Sequence, residues 1–456
     1  MPRRVLIVSY NYPPVGGIGR VRTTKFAKYL PSHGWSPTVL TVKKDRTKLG
    51  GGNLSEGDIP GVKVMRASFP DPLTACQELL AGTESGIVRS PGVDGELPGS
   101  TGTASGKRKS AVGALFRWAM SWAAFPDRYQ LWFPFAVIKG LREIRRGGYD
   151  AIFSTSPPFM DHMVAAALHA LSGIPWMADY RDPWSQNSIM TFTPAKLRAA
   201  RWLERAVLAG AHSITATTPQ MAQVLATLHG ERPGGISCIP SGYDADDYLP
   251  DVQVPGDQFV ITFTGRTYGL LMDPTSVIET IEDLIAEDAI GAGNVTLRFY
   301  GPDACQLETL KENMRYPEIL KLEGVVPREE AILRQQESTV LLTILYDDPY
   351  CAILYGGKLM EYLGTRRPIL AWTPAGGAVT ELLEETGAGA SARNLPELRA
   401  ILSGWFDEYA RTGAVSNRGR EQVISRYGWE VLSGELAVAL EQMVTGPKGP
   451  DGRTAT

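Results

Sequence analysis

The stretch VLIVSYNYPPVGGIGRVRTTKFAKYL (residues 5–30) decides the fold. Val5 to Val8 form an apolar run too short for the core of a secretion signal, and polar residues and prolines follow at once, so the run reads as a buried first strand. Gly16, Gly17 and Gly19 then lead into a helix whose inner face includes Phe26, Ala27 and Leu30. Glycines at a strand-to-helix turn let the backbone approach an anion, and the helix N-terminus supplies free N–H groups and a favourable dipole. A diphosphate suits such a turn; a tight turn without ligand is the alternative. The spacing is not GxGxxG and no acidic residue follows a second strand in a convincing dinucleotide position, which argues against a nicotinamide dinucleotide.

Working outward, short β-rich runs alternate with amphipathic stretches of helical length, the pattern of parallel sheets with crossover helices. Strands are predicted near 5–9, 38–42, 62–66, 150–155, 175–179 and 213–218, then near 259–264, 295–301, 339–345 and 368–372. The two series read as two sheets. Between them, Pro240, Pro250, Pro255 and several Gly and Asp residues break both periodicities, placing a boundary near residues 245–257. The expected layout is an N-terminal domain over 1–245, a C-terminal domain over 257–425, a closing helix over 426–445 and a disordered tail over 446–456. Residues 82–110, dominated by Gly, Ser, Thr and Pro, read as a flexible insertion.

The length of 456 residues with 43% apolar content allows two domains of ordinary size. A formal net charge of −3 gives no bulk attraction to nucleic acid, and none is expected as a partner. Cys76, Cys238, Cys305 and Cys351 lie far apart without a CxxC pair, arguing against a zinc ribbon or disulfide framework and for a reducing, cytoplasmic setting. No uncharged apolar run reaches about 18 residues, so no spanning helix is expected and any membrane contact is peripheral. Residues 114–141 concentrate Trp118, Trp122, Phe125, Trp132, Phe133 and Phe135. They read either as a helix pair packed on the first sheet or as an exposed collar for a lipid-linked acceptor or the membrane interface.

Three further motifs carry chemistry. In FSTSPPFMDHMVAAALHALSGIPWMADYRDPW (153–184), a strand ends in Asp179, Tyr180, Arg181 and Asp182, where open α/β sheets place ligand contacts. An ion-pair network that fixes the loop is the alternative. His162, on the intervening helix, is a candidate catalytic group or an ordinary cap or surface histidine. FTGRTYG (263–269) sets Arg266 directly after a strand and a glycine, where a fixed cation can grip two phosphate oxygens. In CAILYGGKLMEYLGTRRPILAWTPAGG (351–377), Gly356 and Gly357 precede a helix bearing Lys358 and Glu361 on one face. A carboxylate there can take ribose hydroxyls while Lys358 and helix amides meet phosphate; a structural salt bridge is the alternative. Gly376 and Gly377 open another helix N-terminus. Asp244 and Asp246 mimic a DxD metal motif but sit in the linker, and Asp347 and Asp348 lack a histidine or third carboxylate, so no metal is expected.

Taken together, YPPVGGIGRVRTTKFAKYLPSHGW, SPPFMDH, IPWMADYRDPW, IPSGYDADDY, FTGR and KLMEYLGTRRPILAW resemble the retaining GT-B glycosyltransferases of the family 4 type. The likeness is to bacterial members that build surface polysaccharides or glycosylate natural products. It implies an α/β fold of two Rossmann-like domains facing across a crevice, with a nucleotide diphosphate sugar as donor. The acceptor would be a saccharide, a lipid-linked saccharide or a small molecule, and no cofactor is implied. Residue by residue, it implies Gly17 against the donor diphosphate, Arg266 on phosphate, Glu361 on the ribose, and a last helix crossing back to the first domain. Asp179, Arg181, Asp182 and His162 are the catalytic candidates. Two positions depart from the family: Met272 stands where a Lys is usual, with Lys358 a substitute, and Ile353 where a first Glu is usual. A variant branch reading SKxxEY is closer. Such transfer needs no protein nucleophile if the leaving diphosphate accepts the acceptor's proton. The rival readings are a nucleotide-sugar epimerase, disfavoured by only five histidines, and a non-catalytic sugar-nucleotide-binding subunit.

Overall fold

The computed structural model describes residues 2–15, 19–43, 59–68, 122, 125–188, 192–230, 232–254, 256–268, 271–374 and 376–446. Gly16, Gly17, Trp118, the 82–110 insertion and nearly all of the tail lie outside them. The chain divides into two compact units, one of Met1–Thr217, Ala222–Ile239 and Ser433–Thr456, the other of Thr218–Met221 and Pro240–Leu432.

The first unit holds β1 (Arg3–Val8), β2 (Trp35–Val42), β3 (Lys63–Ala67), β4 (Ala151–Ser156), β5 (Trp176–Tyr180), β6 (Ser213–Ala216) and β7 (Ile236–Cys238). They pair in parallel in the order β3-β2-β1-β4-β5-β6-β7. Residues of β4, β5 and β6 are buried throughout, as expected for a parallel sheet covered on both faces. The chain moves one way from β1 to β3 and the other way from β3 to β7. Right-handed crossovers therefore set the helix Gly19–Tyr29 on one face and the helices Trp132–Arg146, Met160–Ser172 and Pro194–Leu208 on the other. Direction reverses between β1 and β4, the switch point where the carboxyl ends of strands open a site.

The second unit repeats the plan. Its strands β8 (Phe259–Thr264), β9 (Val295–Tyr300), β10 (Leu320–Gly324), β11 (Val340–Ile344), β12 (Ile369–Trp372) and β13 (Gly389–Ala392) run parallel in the order β10-β9-β8-β11-β12-β13. Direction reverses between β8 and β11. Phe259, Ile261 and Phe263 of β8 point into a core with Val277 and Ile281 on one helix and Leu402 and Phe406 on another. Each such side chain contributes about 1.5–3 kcal/mol on full burial, and Phe259 meets Phe406 edge-on at 4.8 Å.

Both sheets thus have the doubly wound form expected from the alternation. Strands β7, β10 and β13 lie beyond the sequence expectation, and all three are sheet edges. An edge strand buries less, so its sequence carries a weaker apolar signal: β10 reads LKLEG with alternating exposure, and β13 reads GASA.

Candidate functional site

In the second unit, the carboxyl ends of β8, β11 and β12 adjoin at the switch point. β8 stops at Gly265, whose φ of 119° only glycine adopts without strain. Its N–H bonds the Tyr300 carbonyl at 2.7 Å. A Cβ on Gly301 would lie 2.0 Å from the Gly265 oxygen, so two glycines let the ends of β8 and β9 touch. Arg266 follows, half-buried and with no ion-pair partner among the described residues. Thr267 then fastens the loop, its N–H and hydroxyl both donating to Asp303 Oδ2, at 2.5 and 3.1 Å.

Lys358 arrives from the first turn of the helix Gly357–Thr365. Its Nζ is buried, has no hydrogen-bond partner among the described residues, and sits 3.5 Å from the Phe263 ring centroid. A Cβ on Gly265 would come within 3.3 Å of that ammonium, so the β8 turn and Lys358 form one surface. Burial pushes the Lys358 pKa down to about 7, with Asp303 acting weakly the other way. The helix is held to β8 by the Tyr362 hydroxyl, which accepts from Thr264 N–H at 3.0 Å.

Glu361, one turn further on, accepts from Arg328 Nε at 3.0 Å, and Arg328 Nη2 reaches Asp247 at 2.9 Å. Against the effect of burial, those two carboxylates push the Arg328 pKa up. The Tyr248 hydroxyl bonds the Glu361 carbonyl at 2.9 Å. Gly356 caps the Lys358 helix and Gly377 caps the helix Ala378–Thr386, neither with a side-chain cap. Both helices thus leave first-turn N–H groups open to a ligand. Gly377 must be glycine: its φ is 92° and a Cβ would lie 2.1 Å from the Ala352 oxygen. Gly376 has φ 68° and bonds the Thr373 carbonyl at 2.8 Å.

In the first unit the charges are matched internally. Register pairs Asp179 of β5 with Thr155 of β4 and Thr215 of β6, and both hydroxyls donate to its carboxylate, at 2.6 and 2.7 Å. Arg22 adds two bonds, at 2.8 and 2.6 Å. Although burial alone would raise it, these donors hold Asp179 below the usual carboxylate range. Arg181 is turned onto carbonyl oxygens, those of Gly19 at 2.5 Å, Ser156 at 3.3 Å and Pro157. It thereby ties the ends of β4 and β5 to the start of the first helix. Asp182 is half-buried beside it. His162 is fully buried, with Nδ1 at 2.8 Å from the Ser154 hydroxyl, and burial drops its pKa to about 3. It is therefore neutral at physiological pH and no ready proton donor.

Sequence reasoning passed over Asp303, Arg328, Asp247 and Arg22, and also a carboxyl pair at the first switch point. Asp161 accepts the Tyr10 N–H through both oxygens at 3.0 Å. Asp127 accepts from Tyr129 and Met160 N–H at 3.0 and 2.9 Å. Burial raises both, Asp127 to about 6. Only Asp303 carried a legible signal, since it follows β9 as Arg266 follows β8. Among the described residues no group of three His, Cys, Asp or Glu could hold a metal ion, and Asp244 instead caps a short turn through the Asp246 N–H at 3.2 Å.

This frame accords with the relatives. Residues 16–242 match the family model described as a glycosyl transferase 4-like domain. Over 261 residues the chain is 22% identical to D-inositol 3-phosphate glycosyltransferase 1 of Catenulispora acidiphila; the match covers 54% of this chain and 61% of that protein. Sucrose-phosphate synthase from Thermosynechococcus elongatus superposes with a TM-score of 0.62 at 16% identity, over 97% of this chain and 99% of that one. A glycosyltransferase from Rickettsia africae gives 0.60 at 12%, over 98% and 100%. Anabaena HepE, in complex with UDP and glucose, gives 0.56 at 14%, over 97% and 100%. Residues 16–242 thus carry a glycosyl transferase 4-like domain, and the two units have the GT-B fold.

Proposed function

We propose that the protein is a retaining glycosyltransferase that takes a hexosyl or related group from a nucleotide diphosphate sugar held by residues 257–425. It passes that group to a saccharide, lipid-linked saccharide or small molecule bound by residues 1–245. One observation carries this reading: at the β8/β11 switch point Lys358 presents a buried ammonium without a hydrogen bond against the Gly265 turn, which continues into Arg266, itself without an ion-pair partner among the described residues. A buried cation without a partner is costly in the empty protein, and a diphosphate removes that cost. HepE, of similar fold, binds UDP and glucose, which supports the donor class.

Charge grows on the leaving diphosphate as the sugar–oxygen bond breaks, so Arg266, Lys358 and the amides after Gly356 and Gly377 act most strongly in the transition state. In this reading protein cations neutralise the leaving group without a metal ion. Gly17 keeps the diphosphate role that the resemblance implies, and Gly16 the one that its strand-to-helix turn suggests. The second oxygen of Glu361 takes the ribose hydroxyls while Arg328 fixes the first. Asp179 and Arg181 shape the acceptor side, with Asp182 and His162 beside them. The leaving diphosphate accepts the acceptor's proton on the face it departs from, which retains configuration. The setting is the cytoplasm, with peripheral contact at the inner face of the membrane where the acceptor is lipid-linked. No helix among the described residues is long and apolar enough to cross a membrane.

The test is a nucleotide-sugar panel, read by thermal shift and by nucleoside diphosphate release. One donor should stabilise the protein, and turnover should need an acceptor and give a product of unchanged anomeric configuration. Donor isomerised without acceptor would indicate an epimerase, and binding without turnover on any acceptor a binding subunit.

A further inference from the structure

Two helices on one face of the first sheet have an unusual surface. Trp132–Arg146 and Pro194–Leu208 both pack on Met160–Ser172, and each carries a single carboxylate, Glu143 and Glu204, which is buried. Outward they show only cations and apolar groups. Arg142, Arg145 and Arg146 are exposed on one, Arg198, Arg201 and Arg205 on the other, and none of the six has an ion-pair partner among the described residues. In a chain of net charge −3, this is a local concentration of positive charge.

The apolar groups sit among these arginines. Trp202 is 71% exposed and follows Arg198 by four residues and Arg201 by one, with Arg205 three further on. Helical geometry puts Trp202 on the same stripe as Arg198 and Arg205. On the other helix Phe135 and Ile138 are 42% and 51% exposed, and they share the outward stripe with Arg142 and Arg145. The Phe125 and Phe192 rings, 6.2 Å apart, join the segments that lead into the two helices. An isolated exposed apolar residue needs no explanation, but bulky ones interleaved with unpaired arginines on adjacent helices do.

We infer that this face docks on an anionic lipid surface. Arginines attract the headgroups, while Trp202, Phe135 and Ile138 enter the boundary with the acyl chains, the arrangement of an interfacial helix. A polyphosphate chain would satisfy the arginines alone and leave the apolar side chains in water, so lipid fits the whole surface better. The inference gives a location to the peripheral contact of the preceding reading and rests on it only for the idea of a lipid-linked acceptor.

The experiment is cosedimentation of the full chain, without donor, with vesicles of phosphatidylcholine alone or containing phosphatidylglycerol. Binding should require the anionic lipid and weaken with salt. Arg142→Glu/Arg145→Glu/Arg146→Glu and Arg198→Glu/Arg201→Glu/Arg205→Glu should each lower partitioning by at least about tenfold, and Trp202→Ser severalfold. Donor-induced thermal shift should be unchanged in all of them, which shows the variants are folded and leaves the transferase reading intact whichever way the vesicles behave. Absence of vesicle binding, equal binding to neutral vesicles, or wild-type partitioning of both charge reversals overturns the inference. So does displacement from vesicles by duplex DNA at stoichiometric concentration, which would reassign the face to nucleic acid.

Discussion

The two sheets are built alike, but their charged strand ends are loaded differently. At the end of β5, Asp179 meets Arg22, Thr155 and Thr215, and Arg181 is turned onto three carbonyl oxygens, so the charged groups there hold the unit together. At the end of β8, Arg266 has no ion-pair partner and Lys358 Nζ no hydrogen bond, while two glycine-capped helix N-termini stand open nearby. A charged strand end therefore serves structure in one sheet and is free for a ligand in the other. What separates them is whether a second charge on a distant part of the chain folds onto the first.

The contrast predicts opposite mutational signatures, the largest on the structural side. Asp179→Ala leaves the buried Arg22 guanidinium without its carboxylate and should cost about 3–5 kcal/mol. Urea denaturation should show the loss, and unchanged stability would place Asp179 among functional rather than structural groups. Arg266→Ala and Lys358→Met should instead lower kcat/KM by about 10²–10³. Lys358→Met should at the same time leave the empty protein as stable as wild type or more so, because it removes a buried charge without a partner. A large fall in its melting temperature would break the comparison.

The pH dependence sharpens it further. Lys358 keeps its proton up to about pH 10.5 when unfolded but only to about 7 when folded. Between those values the unfolded chain binds more protons, so the lysine's destabilising effect is full below pH 7 and fades as pH rises toward 10.5. A bound diphosphate draws the proton back. Donor affinity should therefore fall by about fivefold from pH 7 to 8, and calorimetry in buffers of different ionisation enthalpy should detect proton uptake. Lys358→Met should abolish both. The smallest effect is expected for Glu361→Gln, which weakens the Arg328 pair and the ribose contact together. It should raise the donor KM severalfold, or about 1 kcal/mol, with kcat nearly unchanged.

The alternation of apolar runs with helical stretches was enough to determine two doubly wound sheets, because parallel strands buried on both faces read as largely apolar runs, as VLIV in β1 and VLLTI in β11 do. Glycines next to strand ends likewise marked where backbone must approach backbone or ligand, and FTGR and GGKLMEY nominated Arg266, Lys358 and Glu361. The edge strands β7, β10 and β13 escaped because partial burial demands less apolar sequence. Only the tertiary structure decided which charges are free. The Asp179 partner lies 157 residues away, the Glu361 partner 33, and no local pattern reports that Lys358 has none. Periodicity is a local property that the chain writes directly, whereas the state of a charge depends on what long-range packing brings within about 4 Å and removes from water.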